Sequence, residues 1–302
     1  MIDAEKANYT ITRMCRLLEV DRRRYYEWRR RQAAGPTARE QRLAELTVRI
    51  KAHHKASDGT YGAPRILHDL REEGETVSVK TVAKCMRQAE IAGISPRTWH
   101  PPTTTVGPNP DPAPDRVQRV FDQGLPNIVW HSDITYLATG EGWAYLCTIR
   151  DGHTRRVLGR TVADHLRADL VEDALRQAVA LRGHLPGNVI FHADRGCQYT
   201  SEQIAKAAGE LGLLRSMGRT GVCWDCEHRD CATAESFWST FKNEYYHRHV
   251  FPTIAAARQG AYTWIDSWYN ARRRHSAIGY ISPLQYEHHL ARQANQTAPK
   301  AA

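Results

Sequence analysis

The sequence predicts an α/β domain preceded by all-α units, on three observations. Residues 10–93 carry the apolar periodicity of helices, whereas strand candidates rich in β-branched and aromatic residues begin only after residue 126. Seven prolines between residues 95 and 115 separate the two regions. Residues 1–100 hold 20 Lys and Arg against 13 Asp and Glu, while the remainder holds 22 against 20. This division predicts a polyanion-binding module joined to a domain of another kind.

The bulk composition is ordinary for a globular protein, with 41% hydrophobic and 25% charged residues. No apolar run reaches the length of a membrane span, and the N-terminus lacks the apolar segment of a secretory signal. The seven cysteines are an odd number, which argues against a secreted disulfide framework. We therefore expect a cytoplasmic protein with no membrane partner.

Two helical units are predicted before the proline-rich segment. In residues 1–36, the segment TRMCRLLEV precedes a basic helix, RRRYYEWRRR, for which Asp21 is a suitable N-cap. In residues 37–95, three helices follow one another, with Pro64 in the first turn of the second and Ser78 as N-cap of the third. Such units are typical of helix-turn-helix DNA binding, and generic helical packing is the alternative. The candidate DNA contacts are Arg22, Arg23, Arg24, Tyr61, Arg65, Lys80 and Lys84.

Residues 96–116 are predicted to be a linker, residues 117–290 a catalytic α/β domain, and residues 291–302 a flexible tail. Three strand candidates, NIVWHSDITYLAT, GWAYLCTIRD and TRRVLGRTV, could form an antiparallel meander. A helix, the strand NVIFHAD, a helix capped by Ser201, the strand LLRSM and two long helices follow, the last covering residues 253–275. This order matches the ribonuclease H-like arrangement, although many α/β domains contain similar runs.

Three acidic residues are candidate metal ligands. Asp133 lies in the middle of the first strand, Asp194 ends the strand VIFHAD, and Glu235 lies in the first turn of a long helix. Each has a structural alternative: an exposed strand residue, a turn residue and a helix-dipole partner. Together they can converge at one edge of a sheet. Hard oxygen ligands suit Mg²⁺ or Mn²⁺, and two such ions about 3.5–4 Å apart serve phosphoryl transfer.

Four segments in order carry a resemblance to a known family: WHSDITYLAT, FHADRGCQYTS, ATAESFWSTFKNE and YNARRRHSAIGYISP. They resemble the transposases of the bacterial insertion sequence 3 group, whose catalytic core is related to retroviral integrases. The N-terminal segments CRLLEVDRRRYYEWRRR and DGTYGAPRILHDL also look like that family. The resemblance implies a DDE-type, ribonuclease H-like integrase core. It also implies a nucleoid-associated enzyme that hydrolyses a phosphodiester at insertion-sequence ends and transfers the freed strand.

The resemblance also implies roles for individual residues. Asp133, Asp194 and Glu235 would be the catalytic triad and would hold two Mg²⁺ or Mn²⁺ ions. Lys242, two helical turns after Glu235, would contact the transposon end. Arg273 and His275 match a basic C-terminal motif that contacts DNA or packs against the core.

The implied partners are double-stranded DNA, as terminal inverted repeats and target, and further copies of the chain. The chain resembles a downstream reading-frame product, so an upstream-frame helix-turn-helix protein would be fused to it or paired with it. Two other functions stay open. One is a DNA-binding regulator with an inactive catalytic domain, and the other is a ribonuclease H-like nuclease.

The sequence departs from the family pattern in the loop before Glu235. The segment WDCEHRDCATAESF is five residues longer than the family's usual WDNAxAESF, so Asp225 and Asp230 compete for the loop aspartate. The insertion supplies four potential Zn²⁺ ligands. The usual second ligand pair is missing, which favours a loop with reduced thiols over a zinc site. The four residues are Cys223, Cys226, His228 and Cys231.

Overall fold

A computed structural model describes residues 1–94, 113–118, 120–218 and 232–297, with side chains described for all of these except residues 232–235 and 297. The chain divides into two compact units, residues 1–94 and residues 95–302. Within the described ranges, every helix is too short or too polar to cross a membrane.

The first unit is all-α. Its helices are α1 (Ile2–Glu5), α2 (Ile11–Leu17), α3 (Arg22–Ala34), α4 (Ala38–Ala56), α5 (Ala63–Glu72) and α6 (Val79–Gln88). Asp21 caps α3, since its Oδ1 accepts hydrogen bonds from the backbone N–H groups of Arg23 (2.6 Å) and Arg24 (3.2 Å). Ser78 caps α6 through the N–H of Thr81 at 3.2 Å. Both caps satisfy helix N–H groups that have no partner within the helix, and both were predicted.

Helices α4, α5 and α6 pack around a common apolar centre. Fully or almost fully buried side chains from each helix meet there: Leu46, Ile50, Ile66, Leu70 and Val82. The chain leaving α6 returns to the start of α5, where Ile94 N donates to Thr60 O at 3.0 Å. A Cβ on Gly93 would collide with the backbone of Gly62, so this close approach requires glycine.

The second unit is built on a five-stranded sheet in the order β3-β2-β1-β4-β5. The strands β1 (Val129–Thr139), β2 (Gly142–Asp151) and β3 (Val157–Ala163) form the predicted antiparallel meander. The strands β4 (Ile190–Ala193) and β5 (Leu214–Met217) run parallel to β1. The parallel pairs follow from helical crossovers between these strands.

Helices cover both faces of this sheet. On one face, α7 (Ala168–Arg182) and α8 (Glu202–Glu210) bury Trp130 and Phe191 in an apolar cluster. Gly159 of β3 lets α7 approach closely, because a Cβ there would collide with the carbonyl of Ala174. On the other face, α9 (Ala232–Glu244) and α10 (Ile254–Thr263) enclose an aromatic cluster. That cluster includes Phe237, Trp238, Phe241, Trp264 and Tyr269.

The C-terminal part differs from the prediction. The expected single helix over residues 253–275 is α10 followed by a π-helical segment, Trp264–Asn270. Asn270, at its end, accepts from Val157 N and donates to Val157 O, both at 2.9 Å. This buried side chain therefore supplies the partners that the edge strand β3 lacks on its outer side.

Two predicted boundaries also differ. Residues 113–116, assigned to the linker, pack against the second unit, and Arg116 N donates to Ser216 Oγ at 2.9 Å. Residues 291–297, assigned to the tail, belong to α11 (Pro283–Thr297), because no Gly or Pro interrupts the helix after Pro283. The rest of the predicted linker and tail lies outside the described residues.

Candidate active site

The strand register brings two of the predicted carboxylates together. His131 of β1 pairs with His192 of the parallel strand β4, and their rings lie 5.8 Å apart on one face of the sheet. Asp133 is two residues after His131, and Asp194 is two residues after His192. Because side chains alternate along a strand, Asp133 follows on that same face, and Asp194 follows as the first residue after β4.

The Asp133 carboxylate is held at both oxygens. Its Oδ2 accepts a hydrogen bond from Trp238 Nε1 at 2.8 Å, and its Oδ1 accepts one from the N–H of Ile134 at 2.7 Å. Burial, reinforced by repulsion from the charge of Asp194, raises the pKa of Asp133 to about 6. A bound cation would relieve that repulsion.

Asp194 is exposed at the end of β4, and its Oδ1 accepts from Gly196 N at 3.1 Å. The loop that follows is anchored to the sheet by Tyr199, which is buried. The Tyr199 hydroxyl lies 3.0 Å from Ser132 Oγ, and its carbonyl accepts from Arg215 at 3.0 Å. These bonds fix the chain that follows Asp194.

Helix α9 lies against the same face of the sheet. Phe237 and Phe241 are buried in the aromatic cluster, and Trp238 reaches Asp133. Lys242 is half-buried, and burial lowers its pKa while the nearby charge of Asp133 opposes that change. Glu235 lies in α9, three residues before Trp238, and its side chain lies outside the described residues.

The described residues fit a divalent cation with oxygen ligands. Asp133 and Asp194 are hard donors on neighbouring strands, and their mutual repulsion is what a cation would remove. In the part of the chain with described side chains, no three His, Cys, Asp or Glu side chains form a metal-binding group. Glu235, the third predicted ligand, is not among those side chains.

The structure places Arg273 in the interior, which corrects the prediction of a DNA contact. Its Nε and Nη2 donate to the two carboxylate oxygens of Glu244 at 2.7 and 2.6 Å, and each side chain is 5% exposed. The motif was expected either to contact DNA or to pack against the core. Arg273 packs against the core. His275 is half-buried, and its ring lies 4.7 Å from that of Tyr269.

The predicted DNA contacts of the first unit divide into two groups. Five are exposed on α3 and α6: Arg22, Arg23, Arg24, Lys80 and Lys84. Tyr61 is buried, which corrects its prediction as a DNA contact. Its side chain is 3% exposed, and its backbone N–H donates to Ser57 Oγ at 3.2 Å in the loop after α4. The guanidinium carbon of Arg65 lies 5.4 Å from the Tyr61 ring centroid. The proposed zinc ligands Cys223, Cys226, His228 and Cys231 lie outside the described residues.

Two residues at the site were not predicted. Trp238 holds Asp133, and Arg150 of β2 lies in the same crevice, which Asp133, His131 and Thr148 also line. Arg150 is 4% exposed. One signal for Arg150 was available: it is the single charge within the otherwise apolar run YLCTIR of β2.

Comparisons with known proteins agree on one family. The chain is 34% identical over 286 residues to transposase InsF for insertion sequence IS3A of Escherichia coli K12, covering 95% of this chain and 96% of that protein. It is 33% identical over 274 residues to the 31 kDa protein of insertion element IS600 from Shigella sonnei, covering 90% and 97%. The integrase core domain model matches residues 124–223 and 217–283, and the HTH-like domain model matches residues 39–99.

Among solved structures, the catalytic core domain of BIV integrase aligns with a TM-score of 0.39 and 18% identity. The alignment covers 56% of this chain and 98% of that one.

Proposed function

The chain belongs to the IS3 family of transposases, and we propose that Asp133, Asp194 and Glu235 form its catalytic centre. As a member, it is a polynucleotidyl transferase of DNA transposition. One observation carries the assignment of the first two residues. They lie two residues after paired residues of two neighbouring parallel strands, and burial together with the nearby charge of Asp194 raises the pKa of Asp133.

The position of Glu235 in α9 supports its inclusion. It precedes Trp238 by three residues and Lys242 by seven, so the helical repeat places all three on one face of α9. Trp238 contacts Asp133, and Lys242 interacts electrostatically with it. The interactions of Trp238 and Lys242 with Asp133 support a place for Glu235 in the same site.

We propose Mg²⁺ or Mn²⁺ as the cofactor, with two ions per site. When bound, such ions activate the attacking oxygen and stabilise the leaving oxygen. The chain's own residues position the groups around them. Trp238 fixes the orientation of Asp133, and the half-buried ammonium of Lys242, which interacts with Asp133, would contact a phosphate oxygen of the DNA end.

The reaction proceeds in two exchanges of a phosphorus–oxygen bond. Water attacks a phosphodiester at the element end, and the bond to the departing 3′ oxygen breaks, which leaves a free 3′-hydroxyl. That hydroxyl then attacks a target phosphate, and the target strand leaves through its own 3′ oxygen. No covalent protein intermediate is needed, so the side chains act by positioning and by charge.

We further propose that the first unit binds the terminal inverted repeats through the exposed Lys and Arg side chains of α3 and α6. Joining two DNA ends to a target requires that more than one copy of the chain act together. Pairing or fusion with an upstream-frame helix-turn-helix protein, and residence at the nucleoid, belong to this same proposal.

Three substitutions test the catalytic centre: Asp133→Asn, Asp194→Asn and Glu235→Gln. Each keeps the side chain's shape but removes its charge, so we expect strand transfer to fall by roughly 10³-fold or more. Electrophoretic mobility shift with element ends should be unchanged, because the first unit is intact. The exposed Asp173 of α7 offers a matched control, and Asp173→Asn should retain full transfer. Normal transfer by any of the three site variants would refute its assignment.

A further inference from the structure

Arg150 is a buried cation on the wall of the proposed metal site. It lies directly opposite His131 in the pairing of β1 with β2, whereas Asp133 lies opposite Thr148. Arg150 and Asp133 are therefore diagonal neighbours on the same face of the sheet. Both line the crevice beneath Trp238.

The charge of Arg150 lacks an ion-pair partner among the described residues. Its guanidinium carbon lies 5.1 Å from the centroid of the Phe237 ring, a cation–π contact. None of the ion pairs and side-chain hydrogen bonds of the described chain includes this side chain. A buried charge is costly unless it is compensated, and Asp133 is the diagonal carboxylate neighbour that supplies compensation beside the Phe237 ring. The electrostatic effect of Arg150 on Asp133 agrees with this, since it opposes the rise in the pKa of that carboxyl.

We propose that Arg150 is a charge-compensating residue that stabilises the carboxylates of the metal-free site and lowers the site's affinity for divalent cations. The inference rests on the proposed function, because it takes Asp133 as a metal ligand. A fixed positive charge on the wall of a cation site repels the incoming ion. In the metal-free protein, the same charge offsets the repulsion between Asp133 and Asp194.

In such a site, Arg150 balances the negative charge of the carboxylates until a metal ion binds and takes over that role. Arg150 and Lys242 together place two positive charges beside the carboxylates. Removing the charge of Arg150 should therefore strengthen metal binding. We expect about a tenfold gain in affinity, on the order of what one partly screened unit charge produces.

The test is a calorimetric titration of the full chain with MnCl₂ in the absence of DNA. Arg150→Met, which keeps most of the stem and removes the charge, should bind Mn²⁺ about tenfold more tightly than wild type. Arg150→Lys keeps the charge and should stay within about twofold of wild type. The thermal midpoint should also rise more on adding Mn²⁺ in Arg150→Met than in wild type.

Arg160→Met is the matched control. Arg160 also lies over an aromatic ring, 4.6 Å from the centroid of Tyr262, but it belongs to β3 and pairs with Asp266. Its removal should leave Mn²⁺ affinity within about twofold of wild type. If Arg150→Met binds Mn²⁺ no more tightly than wild type, the proposal is wrong. An equal effect of Arg150→Lys and Arg150→Met would show that packing and not charge is responsible, which also overturns it.

Asp133→Asn separates this proposal from the proposed function. If Asp133→Asn binds Mn²⁺ as wild type does, the metal site itself is wrongly assigned. If Asp133→Asn loses Mn²⁺ while Arg150→Met is unchanged, only the role of Arg150 fails. Should Arg150→Met be too unstable to isolate without metal, Mn²⁺ should restore its folding, and failure to do so would count against the proposal.

Discussion

The bond from Trp238 to Asp133 shows how one side chain fixes a proposed metal ligand. Trp238 is 9% exposed, so its indole N–H faces the carboxylate with little competition from water. Trp238→Phe keeps an aromatic ring but removes the donor, and we expect Mn²⁺ affinity to fall about tenfold. Trp264→Phe is the control in the same aromatic cluster, since Asp133 bonds Trp238 and not Trp264 among the described residues. Equal losses in both variants would indicate packing damage instead.

For individual residues, the sequence predicts a role correctly when that role depends on neighbours in the chain. Asp21 and Ser78 cap helices as predicted, because a capping side chain bonds an N–H two or three residues away. Asp133 lies in mid-strand as predicted. Trp238 could not be assigned, because its partner is 105 residues distant and no local spacing links the two. Arg150 depends in the same way on a strand pairing that must form first.

Within the second unit, the carboxylate of Glu287 is a main polar anchor of helix α11. Glu287 accepts hydrogen bonds from Arg156 (2.6 Å), Arg182 (2.6 Å) and Thr154 (2.9 Å). Glu287→Gln would leave two largely buried guanidinium groups without their shared counter-charge, at a cost of about 3 kcal/mol. Thermal unfolding should show a midpoint lower by roughly 6–12 °C. Glu210→Gln is the control, because it removes an ion pair with Arg176 in which both side chains are 48% exposed. Its free energy of unfolding should change by less than about 1 kcal/mol. A similar small change in Glu287→Gln would contradict this account of α11.

The elements that the sequence predicts well are those with a strong internal pattern. The strand GWAYLCTIRD coincides with β2, and α7 begins at the predicted residue 168. The π-helical segment has the same apolar pattern as the α-helix before it. Its wider turn could not be predicted, because its buried end residue Asn270 bonds Val157, 113 residues away. Helix α11 was missed because it has a polar sequence, and its contacts with α7 and the β2–β3 turn lie more than 100 residues away.

At the scale of the whole molecule, the proposed function assigns DNA binding to the first unit and chemistry to the second, and this assignment can be measured. Lys80 and Lys84 are exposed one turn apart on α6. Lys80→Ala combined with Lys84→Ala should weaken binding to element ends and reduce the slope of log affinity against log salt by about 2, because each lysine neutralises one phosphate. Mn²⁺ affinity should be unchanged, since the proposed metal ligands belong to the second unit. Asp133→Asn should show the reverse: normal end binding and lost Mn²⁺ binding.

The control for this double variant is Lys51→Ala combined with Lys55→Ala. It removes the same charge from α4, where both lysines are also exposed and one turn apart. If α6 contacts DNA directly, the α6 variant loses more affinity than the α4 variant at every salt concentration. If the positive charge of the first unit only attracts DNA at long range, without direct contact by α6, the two variants lose DNA affinity equally. Equal loss would therefore remove α6 from the DNA interface while leaving the catalytic centre untouched, because the Mn²⁺ titration reports on that centre independently.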